Sequence, residues 1–208
     1  MPAARRDGPR RVAAFSARSA TPGRSLFLRD KDAQIEEGKD STKAMKYFTP
    51  ELYLRFNARD RAVVARAHEE WESAIEKYQK HLAQIRPRLR PNLRRLAKTL
   101  CLHDASYLGL GRPKIPRLHH SLAVLAAQKN STVYLLVYML AQEPHVHEPK
   151  GNWPFSKKDV HWLYDEFDVE RNGNLRHEVL LSDGRRITFQ FKDMQLIVDR
   201  GDVDRNVA

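Results

Sequence analysis

Two short stretches of the chain carry side chains of the types that acid–base chemistry uses. His103 is followed directly by Asp104, and Asp165 is followed by Glu166 in a second stretch. Histidine, aspartate and glutamate are the usual general acids and bases of enzymes. These four residues therefore form a candidate polar cluster, and an enzyme of unknown reaction with a cleft along them is one interpretation of the chain.

The strand expected around the second stretch limits this chemistry. Adjacent side chains of a strand point to opposite faces of the sheet, so Asp165 and Glu166 cannot act as a pair. Asp165 falls on the apolar side of the strand, where an unpaired carboxylate is costly. We expect an arginine or a backbone N–H to partner Asp165 in a structural role. We assign no catalytic residue, and a non-enzymatic function is favoured.

A basic run is the strongest charge feature of the chain. From Lys77 to His103 there are eight Lys/Arg and no acid. Such a run can contact phosphates in a salt-dependent manner, but no aromatic residue occurs from Gln79 to Ala105 to stack on bases. A solvated face or an acidic protein partner is therefore favoured over a nucleic acid bound through residues 77–98. The candidate basic patch consists of Arg86, Arg88, Arg90, Arg94, Arg95 and Lys98.

Two motifs suggest metal sites, and each lacks a required feature. Asp168–Val179 resembles a calcium loop, with oxygen donors at positions 1, 3 and 5, but an apolar residue replaces the bidentate acid at position 12. Asn172-Gly173 favours a turn between strands instead. His145 and His147 lie in a proline-rich segment without the spacing of a zinc site. No metal and no cofactor is predicted.

The composition bears on location and on the ends of the chain. The formal net charge is +11, and the excess lies before residue 104. The one cysteine, Cys101, cannot form an intramolecular disulfide, which favours a cytoplasmic protein. No apolar run reaches the roughly 18 residues of a membrane-spanning helix, so no membrane association is expected. Residues 1–44 are interpreted as a disordered basic extension; alternatively, translation begins at Met45.

Helical signals occupy residues 45–101. Thr49-Pro50 caps and opens a short helix. A long helix is predicted from about Arg59 to Ile85, because apolar residues recur at alternating steps of four and three. A third helix begins near Pro91. The stripe of the long helix consists of Val64, His68, Trp71, Ile75, Tyr78, Leu82 and Ile85.

Strand signals follow in residues 102–200. Residues 103–111 and 131–141 are predicted strands, whereas 118–127 fits either a helix or a strand and 142–158 reads as a loop.

The stretch Trp162–Val198 predicts three further strands at the edge of the sheet. Asp183-Gly184 is a strong hairpin signal. A one-residue shift in the apolar phase near Lys192 predicts a β-bulge.

Three stretches, MKYFTPELY (45–53), LHDA (102–105) and WLYDE (162–166), occur in the order that they have in one protein family. With the hairpin that follows, the chain from 45 to 198 resembles a family of bacterial proteins of unassigned function. The resemblance implies a helical first half, a β-rich second half, a strand at Trp162–Val169 and a chain that starts at Met45. It implies no activity and no functional residue.

We predict a single α+β domain over residues 45–200, followed by a flexible tail at 201–208. In this domain the helices of 45–101 pack on one face of a mostly antiparallel sheet of about five strands from 102–200. The expected function is that of a cytoplasmic protein-interaction or regulatory protein. A nucleic-acid-associated protein and an enzyme are the alternatives.

Overall fold

The computed structural model describes residues 45–114 and 121–200. The predictions for residues 1–44 and 201–208 lie outside this range. So do residues 118–120 of the segment 118–127, for which a helix and a strand were both possible. The side chains of Lys98 and Thr99 are also outside it. All of the described residues belong to one compact unit.

Three helices precede the sheet, and two of them begin at side-chain caps. Thr49 Oγ1 accepts a hydrogen bond from the Leu52 N–H at 3.2 Å, and the Asp60 carboxylate accepts from the N–H groups of the next helix. No described helix is both long enough and apolar enough to span a membrane. In chain order the elements are α1 (Pro50–Phe56), α2 (Arg61–Ile85), a 3₁₀ turn (Arg86–Arg88) and α3 (Pro91–Thr99).

The described part of the chain forms a seven-stranded antiparallel sheet. Its order is β1-β2-β3-β7-β6-β5, and the short β4 pairs with the first part of β7. The strands are β1 (Ser106–Gly111), β2 (Leu122–Lys129), β3 (Thr132–Leu140), β4 (His145–His147), β5 (Trp162–Val169), β6 (Leu175–Leu181) and β7 (Arg186–Asp199).

The sheet curls so that its two outermost strands meet at one end. Ser106 in β1 forms a β-bridge with His161, directly before β5. The Tyr107 N–H donates to the Val160 carbonyl at 2.7 Å, and the Trp162 N–H donates to the Ala105 carbonyl at 2.8 Å. The curl gives the sheet an inner face and an outer face, which carry different side chains.

Each face has its own apolar cluster, and the helices divide between them. The inner cluster includes Phe189 from β7 and takes in Leu93 from α3 and the end of α2. The outer cluster joins Leu163 and Leu180 to α1 and to the body of α2. The prediction that the helices pack on one face was therefore wrong, because α2 passes from one cluster to the other and α3 lies with the inner one.

The sheet also has seven strands instead of about five. The segment left open adopts a strand from Leu122, and the predicted loop contains β4 at His145–His147. The reason for β4 lies in the length of β7, whose first residues extend beyond β3 and leave an edge that β4 pairs. The hairpin at Asp183-Gly184 and the bulge at Lys192 are confirmed. β7 is paired on both sides, so this stretch is not confined to the sheet edge.

Candidate functional site

The four residues of the candidate polar cluster lie in three different places. His103 and Asp104 form a surface pair, with 2.8 Å between Nδ1 and Oδ2 and with side chains 43 % and 75 % exposed. The His103 ring packs on Tyr164, with ring centroids 5.2 Å apart. Burial, and then the neighbouring Tyr53 and Asp104, raises the pKa of Tyr164 to about 12. This pair is open to solvent and has no described contact with Asp165 or Glu166.

Asp165 points to the inner face and ends a chain of hydrogen bonds. Its Oδ1 accepts from Trp162 Nε1 at 3.1 Å, and its Oδ2 lies 3.1 Å from His177 Nε2. His177 Nδ1 lies 2.8 Å from the Tyr138 hydroxyl. A carboxylate only accepts, so in the neutral ring Nε2 donates to Asp165 and Nδ1 accepts from Tyr138. The expected partner of Asp165 is present, but it is a histidine and an indole instead of an arginine or a backbone N–H.

This interior chain resembles a catalytic relay in its connectivity and differs from one in its accessibility. His177 and Tyr138 are fully buried. Their rings stack at 4.0 Å on Phe167 and Phe189, respectively. Burial raises the pKa of Tyr138 well above its ordinary value, so its hydroxyl stays protonated as a donor. This chain of hydrogen bonds therefore satisfies polar groups inside an apolar core. Its histidine is fully buried, so no substrate can reach it.

Glu166 points to the outer face and holds the segment before α1. Its Oε1 accepts from the N–H groups of Tyr47 and Phe48, both at 2.7 Å, and its Oε2 accepts from the Lys46 N–H at 2.9 Å. Glu166 is 4 % exposed. Three N–H donors on one buried carboxylate make an anchor, because hydrogen bonds to a charged acceptor are stronger than neutral ones. Glu166 is thus a structural residue in this arrangement.

A network of ion pairs continues along the outer face. Arg176 Nη1 lies 3.1 Å from Glu178 Oε2, and Arg186 Nε lies 3.6 Å from Glu178 Oε1. The Thr188 hydroxyl donates to the same carboxylate at 3.3 Å. Burial is the main reason that the pKa of Glu178 is raised. Glu178 is 1 % exposed, so this network is also closed to ligands.

The basic patch lies around a groove between α2 and α3, which we call the α2–α3 groove. It has a volume of about 730 Å³, within the range of ligand sites. Its apolar floor comes from the last turns of α2, the connection and α3, and three arginines stand around it. The lining residues are Gln79, Leu82, Ala83, Arg86, Leu89, Pro91, Arg94, Arg95 and Ala97.

The arginines of the patch divide into those that brace the fold and those that line the groove. Arg88 donates to the Glu170 carbonyl at 3.0 Å, and Arg90 pairs with Asp193 at 2.6 Å. These two fasten the connection between α2 and α3 onto the sheet. Arg86, Arg94 and Arg95 line the groove, and all three are exposed. Among the described residues no acid lines the groove.

Two of the groove arginines have contrasting surroundings. Arg94 is fixed, since its Nε donates to the Leu89 carbonyl at 2.8 Å and its Nη2 to the Pro87 carbonyl at 3.2 Å. Arg86 makes no side-chain hydrogen bond or ion pair with the described residues. Arg86 is therefore an exposed guanidinium with all five N–H donors open to a ligand.

The two metal motifs have structural explanations in the described chain. Asp168 is the last but one residue of β5, and Asn172-Gly173 turns the chain into β6, as the turn interpretation predicted. On β4 the rings of His145 and His147 are 4.1 Å apart. Burial, the charge of Arg186 and the neighbouring His145 lower the pKa of His147 to about 4. Among the described residues no three His, Cys, Asp or Glu side chains gather as metal ligands do.

Comparison with known proteins assigns no family to the chain. No protein-family model matches it, and no curated protein is found to be similar. The resemblance to a bacterial family of unassigned function therefore stays a prediction, and the α2–α3 groove has to be judged on its own geometry.

The apolar half of the groove was missed in the sequence. Ala83 lies off the predicted stripe of α2, and it lines the groove together with Ala97 of α3. The available signal was Ala83 itself, an alanine on an otherwise polar face of α2. It lies next to Leu82 and one helical turn before Arg86. His177 was also not predicted as the partner of Asp165. The available signal was alternation along the strand, which places His177 on the same face as the buried Leu175 and Val179.

Proposed function

We propose that this protein is a non-enzymatic interaction protein that binds a segment of a protein partner in the α2–α3 groove. The observation that carries the proposal is the pairing of an apolar floor with exposed arginines, of which Arg86 has no partner among the described residues. Interfaces combine an apolar centre with polar groups around it, and arginine is enriched there. We also propose that the protein acts in the cytoplasm, which its free, exposed Cys101 supports.

Enzymatic function receives less support from the same geometry. Of the described residues with acid–base chemistry, His177 and Tyr138 are closed in the core and Glu166 is engaged as a structural acceptor. The surface pair of His103 and Asp104 is open to solvent, with side chains 43 % and 75 % exposed. A nucleic acid is the second candidate, because three exposed arginines and no acid line the groove. The groove offers no aromatic ring for base stacking.

Site-specific photo-crosslinking tests the proposal. A photoreactive amino acid is placed at Ala83, in the groove, and separately at Glu72, an exposed position on the same helix. Both variants of the full chain are expressed in the native cell, irradiated and purified under denaturing conditions. We expect a discrete protein adduct from position 83 and none from position 72.

Two results would contradict the proposal. An adduct at position 83 that nuclease removes would identify a nucleic acid as the occupant. Equal labelling from both positions, or no adduct from either, would show that the groove is not a docking site.

A further inference from the structure

We infer that the segment bound in the α2–α3 groove is a short amphipathic helix with carboxylates flanking its apolar side. This inference rests on the proposed function and adds the chemistry of the partner. It follows from three properties of the groove: its backbone has no free edge, its floor is apolar and its charge is of one sign.

The backbone of the groove favours a helical occupant over an extended one. An extended segment has unpaired N–H and C=O groups, which usually pair with a free strand edge. The groove is formed by two helices and their connection. The interior backbone groups of each helix bond within that helix, and the helix ends offer no strand edge. In the connection, the carbonyls of Pro87 and Leu89 already accept from Arg94, and Pro91 has no N–H. A helix satisfies its own backbone and needs none of these groups.

The floor of the groove fits the apolar side of such a helix. Leu82 and Ala83 lie on α2, Leu89 and Pro91 on the connection and the start of α3, and Ala97 further along α3. An amphipathic helix presents apolar side chains at i, i+3 or i+4, and i+7 on one side. The small Ala83 leaves room for a larger side chain, and exposed apolar groups on both surfaces leave water when the two meet.

Charge selects acidic residues beside that apolar side. No acid is among the described residues that line the groove, and Arg86 has no side-chain partner among the described residues, so a glutamate or aspartate on the partner meets a guanidinium that can receive it. The guanidinium of Arg86 can hold a carboxylate through two parallel N–H groups. A partner helix with lysines in the same positions would be repelled.

A second copy of this chain fits the groove less well. The exposed acids of α2 include Glu69, Glu72 and Glu76, and these could face the arginines of another copy. The same surface offers only alanines, such as Ala62 and Ala65, to the apolar floor. A separate partner with leucine-sized side chains fills the floor better.

Fluorescence anisotropy with defined probes tests the inference. The probe is a labelled 16-residue helical peptide in which leucines at i, i+3, i+4 and i+7 are flanked by glutamates. One matched peptide carries lysine for glutamate, and a second has the same residues with a central proline that breaks the helix. We expect the acidic helix to bind the full chain and the two matched peptides to bind at least tenfold more weakly. Arg86→Glu should weaken binding at least tenfold, and Arg59→Glu, at an exposed position outside the groove lining, should leave it unchanged.

The alternative outcomes separate this inference from the proposed function. Two outcomes overturn the helical inference and leave the groove as a docking site. In the first, the proline peptide binds as tightly as the helical peptide. In the second, no peptide binds although position 83 gives a protein adduct. Displacement of the probe by a single-stranded oligonucleotide overturns both. Self-association that Arg86→Glu abolishes would make a second copy the occupant and overturn the inference. Equal loss of binding in Arg86→Glu and Arg59→Glu would show nonspecific charge attraction and overturn it as well.

Discussion

Two regions of the molecule use their polar groups in opposite ways. One is the interior chain of hydrogen bonds, which joins Trp162, Asp165, His177 and Tyr138. The other is the α2–α3 groove. In the interior chain each donor meets an acceptor, and its histidine and tyrosine are fully buried. In the groove, Arg86 is exposed and has no side-chain partner among the described residues. The interior chain contains the residue types of an active site, yet its histidine and tyrosine are closed to solvent and engaged with each other.

Access to solvent and unsatisfied polar groups, and not residue type, distinguish the two regions. Asp165 and Glu166 are neighbours in β5, but the strand sends one to the inner face and the other to the outer face, where each has its own donors. Their role is therefore set by what surrounds them. Substitutions in these regions should change stability, whereas substitutions in the groove should change binding.

His177→Ala should have the largest effect on stability. It removes a buried ring, leaves a cavity and deprives both Asp165 and Tyr138 of a partner. We expect a loss of about 3–5 kcal/mol in the free energy of unfolding, measured by chemical denaturation. His103→Ala, on the exposed pair, is the matched control and should change it by less than about 0.5 kcal/mol. Similar small losses in both variants would mean that the interior chain does not hold the core together.

Glu166→Gln should have the next largest effect. The amide keeps one acceptor oxygen but turns N–H donors toward the backbone N–H groups of Lys46, Tyr47 and Phe48. A loss of about 2 kcal/mol follows from hydrogen bonds to a charged acceptor. Amide hydrogen exchange at residues 46–48 should become faster before exchange in the sheet does. Asp104→Asn, the same change at an exposed carboxylate, should leave exchange at 46–48 unaltered.

Ala83→Glu should change binding and not folding. Ala83 is exposed, so the substitution should alter the free energy of unfolding by less than about 0.5 kcal/mol. The new carboxylate fills part of the apolar floor and offsets the charge of Arg86. Binding of the acidic helical probe should weaken at least tenfold, which corresponds to about 1.4 kcal/mol. If Ala83→Glu binds the acidic helical probe with native affinity, the binding surface lies elsewhere.

A smaller effect concerns pH and His147. Burial first, and then the charges of Arg186 and His145, lower the pKa of His147 to about 4. The unfolded chain therefore binds a proton between pH 6.5 and 4 that the folded chain does not, so stability should fall as the pH is lowered through this window. Because His147 is partly accessible to solvent, we expect about 1 kcal/mol. Glu178, with its raised pKa, acts in the opposite direction at low pH.

Denaturation of His147→Gln at several pH values isolates this contribution. The slope between pH 6.5 and 4 should become smaller in His147→Gln than in the native chain. His145→Gln, at the more exposed position of β4, should retain most of the slope. An unchanged slope in His147→Gln would assign the pH dependence to other groups.

Local signals in the sequence predicted most of the elements. The Thr49-Pro50 cap, the helix start at Pro91, the Asp183-Gly184 turn and the bulge at Lys192 depend on backbone chemistry within a few residues, and all four are present. Features that depend on distant pairing were predicted less well. The strand at His145–His147 exists because β7 extends past β3, which no local pattern records.

The α2–α3 groove could be predicted only in part, because it too depends on contacts between residues that are distant in the sequence. The arginines of the patch were visible as a run, but the sequence does not show that Arg88 and Arg90 brace the sheet while Arg86 remains open. Ala83 and Ala97 line the same groove only because the chain reverses between α2 and α3. The groove arises from tertiary packing, and its charge arises from the local sequence.

The most direct measurement of the central claim is an anisotropy titration of the acidic helical probe against the native full-length chain, Arg86→Glu and Arg59→Glu at two salt concentrations. The account predicts binding that weakens at least tenfold in Arg86→Glu, stays unchanged in Arg59→Glu and declines with added salt. Equal affinity of all three proteins would contradict it, because the binding surface would then not include the Arg86 guanidinium of the α2–α3 groove.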